Sequence, residues 1–258
     1  MKLKTIGFIG GGRITRIFLQ GFVNKSVKFK SVKVFDPNLE TQNELQNSFP
    51  QIEKVENAQA AAGGQQIVFI AVHPPMVMDT MQKIKDAISE NTVVVSLAPK
   101  ITIEKIASVL PTRKIVRMIP NATSYINKGY NPLTFAEDFD KKEKKQIIKL
   151  LKKLGKTFET EETKLESYAI ASAMLPTYFW FQWEEMENIA VKIGLTQDEA
   201  RKAVKSTLKK AMELYYDSGM TPDEAMDLIP VKPIGEKESE IKDILKSKLL
   251  GLFEKIKP

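Results

Sequence analysis

A short segment near the start of the sequence, TIGFIGGGRITRIF at residues 5–18, constrains the fold more than any other. β-Branched and aromatic residues fill positions 4–10 and glycines end them, which predicts a buried strand. The residues that follow, RITRIFLQGFV, predict a helix. Gly10 and Gly12 match the first two glycines of the G-x-G-x-x-G pattern, and Thr15 stands at the third. A strand, a glycine turn and a helix in this order favour a dinucleotide-binding site over the alternative, a tight turn without a ligand.

The residues of this turn have distinct expected roles. Gly10 makes the tight turn, and Gly12 lets the backbone approach a pyrophosphate. The free N–H groups at the start of the helix bind phosphate oxygens. Arg13 either reaches the pyrophosphate or lies on the helix surface. Thr15 implies either looser packing of the helix on the sheet or a hydroxyl group that helps to bind.

Asp36 ends the second predicted strand, SVKVFD, at about the distance from the glycines that the dinucleotide pattern requires. A carboxylate there accepts hydrogen bonds from the adenosine ribose hydroxyls and repels a 2′-phosphate. The expected cofactor is therefore NAD(H) or NADP(H), with NAD(H) favoured. The alternative is that Asp36 only starts the turn Asp-Pro-Asn.

Apolar runs alternate with amphipathic segments through the first 160 residues. They predict strands at 4–10, 31–36, 65–72, 91–98 and 113–119 with helices between them. Such alternation is typical of an α/β fold with a Rossmann-like, doubly wound parallel sheet. The strand pattern disappears at about residue 161. We therefore predict a dinucleotide-binding domain at 1–160 and an all-helical C-terminal domain at 161–258.

The second half contains strong helix signals. Residues 161–194 predict one long helical stretch that Pro176 breaks or kinks. The sequences TQDE at 196–199 and TPDE at 221–224 predict capping boxes at the start of two further helices. The segment YFWFQW at 178–183 is apolar all around a helix, which predicts core packing, part of it at a subunit interface.

Composition excludes several kinds of site. The chain of 258 residues has no cysteine and one histidine, so disulfides, a cysteine nucleophile and a structural zinc site are not expected. The net charge of +7 is concentrated at 141–156, where lysines line one side of an amphipathic helix. We interpret this side as a solvated face rather than as a nucleic-acid or membrane surface. The missing export signal predicts a cytoplasmic protein.

The order of motifs resembles that of pyrroline-5-carboxylate reductase, which makes proline by reducing a cyclic imine. The segments that carry the resemblance are IGFIGGGRITRIF, AVHPPMV, SLAPKITIEKI, VRMIPNATSYINKGY and the long stretch that begins LPTYFWFQW. The fourth segment is the most specific, with matches at Arg117, Pro120, Asn121 and Gly129. The resemblance implies hydride transfer from a nicotinamide to a C=N bond of a small imino acid-like substrate, and a dimer through interleaved helical domains.

The sequence departs from this family where the family does its chemistry. Its G-S-G-P-A-Y reads AMLPTY here, and its S-P-G-G-T-T, which holds the substrate carboxylate, is replaced by IPVKPIGEK. Lys232 in this segment either replaces the lost carboxylate contacts or is a solvated loop lysine. The family more often has polar or basic residues, suited to NADP, where this chain has Asp36.

His73 and Asn121 complete the candidate catalytic residues with Lys232. His73 lies after the third strand and is a proton donor or a nicotinamide contact, or else a plain loop histidine. Asn121 orients the carboxamide or the substrate, or else forms a turn. The predicted cofactor contacts are Gly10, Gly11, Gly12, Arg13, Ile14, Asp36, Ala71, Val72, His73, Pro74, Ala98 and Asn121.

Two other functions remain open from the sequence. A β-hydroxyacid dehydrogenase shares the domain layout but needs a lysine on the long helix, and none lies between Leu165 and Glu187. A non-catalytic nucleotide-sensing protein that kept the cofactor half would also show the altered motifs of the second half.

Overall fold

The computed structural model describes residues 4–258, so the first three residues of the predicted domain 1–160 lie outside it. The strands are β1 (Thr5–Ile9), β2 (Ser31–Phe35), β3 (Glu53–Lys54), β4 (Ile67–Ile70), β5 (Val93–Ser96), β6 (Ile115–Met118), β7 (Gly129–Phe135) and β8 (Gly155–Glu159). The helices are α1 (Arg13–Asn24), α2 (Leu39–Ser48), α3 (Ala58–Ala62), α4 (Val77–Ile84), α5 (Ile103–Ala107), α6 (Lys141–Leu151), α7 (Leu165–Tyr168), α8 (Leu175–Lys192), α9 (Gln197–Asp217), α10 (Pro222–Asp227) and α11 (Glu238–Ile256).

The strands form one sheet in the order β3-β2-β1-β4-β5-β6-β7-β8. Neighbouring strands are parallel throughout, except that β7 runs antiparallel to β6. The strand order reverses between β1 and β4, which is where ligands bind in doubly wound sheets. The predicted Rossmann-like fold class is confirmed. The three strands β3, β7 and β8 were not predicted, and the antiparallel pair corrects the expectation of a wholly parallel sheet.

Two apolar clusters, one on each face, bury the sheet. Alternate residues of a strand enter opposite clusters: in β4, Phe69 belongs to one and Val68 to the other. Phe18 of α1 and Leu151 of α6 pack in the first cluster, and Met81 of α4 packs in the second. Apolar cover on both faces explains why the central strands read as continuous apolar runs.

The chain forms two compact units, one ending at Ala173 and including Phe253–Pro258, the other Met174–Leu252. This division lies beyond residue 160, where the sequence predicts the boundary of the domains, and the predicted domains remain a proposal. The long helical stretch is interrupted before Pro176, by a π-helix at Ala169–Ala173 and a break at Met174. Both predicted capping boxes are present, at Thr196 and Thr221.

The prediction that residues 178–183 pack in a core is wrong for the single chain. No residue of α8 is buried within the described chain, and Phe181 is 64% exposed. The physical reason is that one copy of the chain offers too few apolar neighbours to cover a helix that is apolar on all sides. Among the helices of residues 4–258, none is long and apolar enough to span a membrane.

Candidate dinucleotide site

Gly10 makes the tight turn that the sequence predicts. Its φ of +103° is rarely adopted by other residues, and a Cβ atom there would lie 2.5 Å from the carbonyl oxygen of Ala71. Thr15 is fully buried, and its hydroxyl donates to the Gly10 carbonyl at 2.6 Å. The hydroxyl at the third position of the pattern therefore stabilises the turn itself.

Gly12, unlike Gly10, is not required by the backbone conformation or by its surroundings. Its φ of −71° suits any residue, and a Cβ atom there would meet nothing within 4 Å. Gly12 caps α1 without a side-chain hydrogen bond, so the N–H groups of the first turn lack acceptors within the helix. Arg13 is exposed at this end, and Ile14 is half-buried against the core. The structure thus leaves an open cradle of donors at a helix N-terminus, which suits an anion such as a pyrophosphate.

Asp36 ties the end of β2 to the glycine turn. Its Oδ2 accepts the Gly11 N–H at 2.7 Å, and its Oδ1 accepts the Asn38 N–H at 2.9 Å. The turn role that the sequence offered as the alternative is therefore present. Each carboxylate oxygen has two lone pairs, so both oxygens can accept a second donor. Because the side chain is only half-buried, a ribose hydroxyl can approach it.

The end of β4 lies directly beside the turn. The Ala71 N–H donates to the Ile9 carbonyl at 2.8 Å, which continues the pairing of β1 with β4. Ala71, Val72 and Pro74 are half-buried, whereas His73 is exposed and precedes a 3₁₀-helix at Pro74–Met76. The structure thus brings the end of β4 to the glycine turn.

Asn121, which follows β6, is already engaged. Its Nδ2 donates to the Ser172 carbonyl of the π-helix at 3.1 Å, and its Oδ1 accepts the Thr123 N–H at 2.9 Å. The side chain of Asn121 is therefore used to form a turn and to hold the π-helix. Ala98, which follows β5, is also buried at the carboxyl edge of the sheet, as Asn121 is.

An ionic cluster that the sequence does not predict lies beside this edge. Arg117 of β6 is fully buried, with Nη2 2.5 Å from Glu166 Oε1 and Nη1 2.8 Å from Glu162 Oε1. An arginine in the middle of the apolar strand IVRM, and two glutamates four residues apart, were the available signals. Neither signal alone identifies its partner.

Lys232 lies in the unit Met174–Leu252, in the loop between α10 and a 3₁₀-helix at Gly235–Lys237. Its side chain is exposed, and its carbonyl accepts the Gly235 N–H at 2.9 Å. Within residues 4–258, no three acidic or histidine side chains are grouped to hold a metal ion.

Comparisons with known proteins agree with this architecture. Residues 5–100 match the family model described as NADP oxidoreductase coenzyme F420-dependent. The sequence is 25% identical over 258 residues to a pyrroline-5-carboxylate reductase of Corynebacterium melassecola, covering 97% of this chain and 94% of that protein. It is 28% identical over 227 residues to that of Pasteurella multocida, covering 86% and 82%.

Solved structures share the fold along the whole chain. Pyrroline carboxylate reductase of Plasmodium falciparum, with NADP bound, has a TM-score of 0.80 at 20% identity, covering 99% of this chain and 96% of that chain. The 1-pyrroline-5-carboxylate reductase of Streptococcus pyogenes has a TM-score of 0.82 at 18% identity, covering 100% and 99%. The chain is therefore similar along nearly its whole length to pyrroline-5-carboxylate reductases.

Proposed function

We propose that this protein is an NAD(P)-dependent reductase that reduces the C=N bond of a small imino acid-like substrate. The observation that carries the proposal is the open space at Gly12. A Cβ atom there would meet nothing within 4 Å, and the adjacent helix N-terminus offers N–H donors to a pyrophosphate. The relatives that match along most of the chain are named for reduction of pyrroline-5-carboxylate.

The residues at the carboxyl edge of the sheet fit a nicotinamide dinucleotide. The first turn of α1 would hold the pyrophosphate, and Asp36 would accept the ribose hydroxyls. The remaining wall consists of Ala71, Val72, Pro74 and Ala98. When bound, the reduced nicotinamide supplies the hydride, while the protein supplies orientation and electrostatics.

The charge of Asp36 supports NAD(H) as the preferred cofactor. A 2′-phosphate at this position would face the carboxylate, whose two oxygens accept N–H groups of Gly11 and Asn38 and so stay in place. Repulsion between two anions in a partly buried setting weakens NADP(H) binding. NAD(H) does not carry that phosphate.

The three candidate catalytic residues, His73, Asn121 and Lys232, have different proposed roles. His73 is exposed at the end of β4 and is suited to donate a proton to the reduced nitrogen. Asn121 acts by positioning, because its amide holds the π-helix through Ser172. Lys232 would attract an anionic group of the substrate as a point charge.

The proposed partners are the small substrate and a second copy of the chain. α8 and α11 have no buried residue within the described chain, although both are rich in apolar side chains. Large apolar faces of this kind are typical of obligate subunit interfaces. A cytoplasmic location also remains a prediction.

The test is steady-state oxidation of NADH and NADPH with a panel of cyclic imines that includes pyrroline-5-carboxylate. We expect weak turnover of pyrroline-5-carboxylate, because no serine or threonine lies between Thr221 and Ser239, and Pro230 and Pro233 remove backbone donors from the replaced segment. Loss of such orientation costs orders of magnitude in rate. We expect another imine to react faster; if none reacts, reductase function is wrong.

The altered loop also favours a second candidate, a nucleotide-sensing protein without turnover. Calorimetric titration with each dinucleotide separates the two functions. Binding without reduction of any imine supports the sensor, and binding with reduction supports the enzyme. Absence of binding to either dinucleotide contradicts both.

A further inference from the structure

The loop between β5 and α5, residues 97–102, is fixed by two carboxylates from a distant segment. The Lys100 N–H donates to Glu166 Oε1 at 2.9 Å, and the Ile103 N–H donates to Glu162 Oε1 at 2.8 Å. Lys100 has a φ of +75°, a conformation that residues other than glycine rarely adopt. A backbone in this conformation persists only where its surroundings hold it.

One guanidinium group holds both of these carboxylates. Arg117 Nη2 lies 2.5 Å from Glu166 Oε1, and Nη1 lies 2.8 Å from Glu162 Oε1. The same two oxygen atoms therefore bind the arginine and the loop. Arg117 is paired in register with Ser96, the last residue of β5, so the cluster lies directly beside the start of the loop.

The cluster of Arg117, Glu162 and Glu166 is not explained by a contribution to folding stability alone. The side chain of Arg117 is 0% exposed and that of Glu166 is 2% exposed, so both charged groups lose their hydration on folding. Three atoms of the cluster and its neighbour have no hydrogen-bond partner among residues 4–258: Ser96 Oγ, Arg117 Nε and Glu166 Oε2. Because burying charges and unpaired polar atoms costs free energy, apolar residues would stabilise this position at least as well.

We propose that Arg117, Glu162 and Glu166 are positioning residues that fix the β5–α5 loop against the bound dinucleotide. The inference rests on the proposed function, since Ala98 of this loop belongs to the proposed cofactor wall. Arg117 fixes the two carboxylates, and the carboxylates fix the backbone at Lys100 and Ile103. The loop then presents the backbone around Ala98 in one conformation.

The test measures amide hydrogen exchange by NMR in the unliganded full chain. Glu166→Ala should speed exchange at Lys100 by about 10- to 100-fold, the factor that corresponds to one hydrogen bond to a charged group. Glu162→Ala should have the same effect at Ile103. Glu166→Gln should restore protection at Lys100, because its amide oxygen still accepts the N–H. Glu143→Ala is the control, since it removes a carboxylate whose ion pair with Lys114 lies elsewhere.

Dinucleotide affinity and turnover complete the test. We expect Glu166→Ala to weaken dinucleotide binding by about tenfold or more, with Glu166→Gln close to the wild type. Unchanged exchange at Lys100 and Ile103 in the alanine variants overturns the inference, as does faster loop exchange with unchanged affinity and unchanged kcat and KM. If Glu166→Ala unfolds, Glu162→Ala decides, because that carboxylate is partly exposed. Failure of the wild type to bind a dinucleotide refutes the proposed function instead, and leaves the exchange result unaffected.

Discussion

At the scale of single residues, Gly10 and Gly12 separate folding from binding. The fold requires glycine at position 10, because φ is positive there and a Cβ atom would clash with the Ala71 carbonyl. Gly12 has room for a side chain within the chain itself. The room at Gly12 is therefore available to a ligand, and a side chain that fills it would compete with that ligand.

A valine at position 12 should impair dinucleotide binding, whereas a valine at position 10 should impair stability. We expect Gly12→Val to abolish dinucleotide binding while costing less than about 1 kcal/mol of stability. Gly10→Val should cost more than about 3 kcal/mol, because strain and a backbone clash add. Calorimetric titration measures binding and urea unfolding measures stability. Normal dinucleotide affinity in Gly12→Val would mean that the pyrophosphate lies elsewhere.

Asp36 permits a test of cofactor preference that keeps its hydrogen bond to the glycine turn. Asp36→Asn removes the charge but keeps an amide oxygen for the Gly11 N–H. We expect the ratio of NADP(H) to NAD(H) dissociation constants to fall by about tenfold, since repulsion of the 2′-phosphate is lost. Asp86→Asn, an exposed change of equal charge, is the control. Equal affinities of the wild type for both cofactors would contradict the preference.

At the scale of elements, the capping boxes that begin α9 and α10 make the stability of these helices depend on pH. Thr196 donates from its hydroxyl to Glu199 Oε2 at 2.6 Å and from its N–H at 2.8 Å. These bonds lower the pKa of Glu199 from its usual value of 4.5. At the second box, the N–H and then the hydroxyl of Thr221 lower the pKa of Glu224.

A lowered pKa in the folded state stabilises the fold above the usual value. This stabilisation is present above about pH 4.5 and is lost as the pH falls through the lowered pKa. We expect the double variant Glu199→Gln, Glu224→Gln to lose less helix stability than the wild type between neutral pH and pH values below 4.5. Denaturation followed by circular dichroism measures it, with Glu184→Gln on α8 as the control. Identical pH profiles of the wild type and the double variant would show that the caps contribute nothing to acid sensitivity.

Elements with local signals were predictable, and elements that depend on distant partners were not. The glycine turn and Asp36 follow from strand–turn–helix order, which adjacent residues encode. β7 was missed because Gly129 and Pro132 interrupt its pattern, and a proline argues against a central strand such as the one that β7 forms between β6 and β8. The Arg117 cluster was missed because its partners lie 45 and 49 residues away in the sequence.

At the scale of the whole molecule, the unit Met174–Leu252 exposes many large apolar side chains. Phe181 is 64% exposed and Ile229 is 68% exposed, and neither α8 nor α11 has a buried residue within the described chain. Exposed apolar surface of this extent indicates a partner surface. The proposed partner is a second copy of the same helices, which would supply the matching apolar faces because a two-fold interface is self-complementary.

We therefore expect the wild type to be a dimer at micromolar concentration, with twice the mass of one chain in light scattering. Phe181→Lys should dissociate it, because a lysine ammonium buried in an apolar interface has no partner for its charge. Ser206→Lys adds the same charge on α9 beside Lys209 and Lys210, where the surface is already basic, and should leave the dimer intact. A monomeric wild type would contradict the proposed interface. A dimer that survives Phe181→Lys would place the interface away from α8.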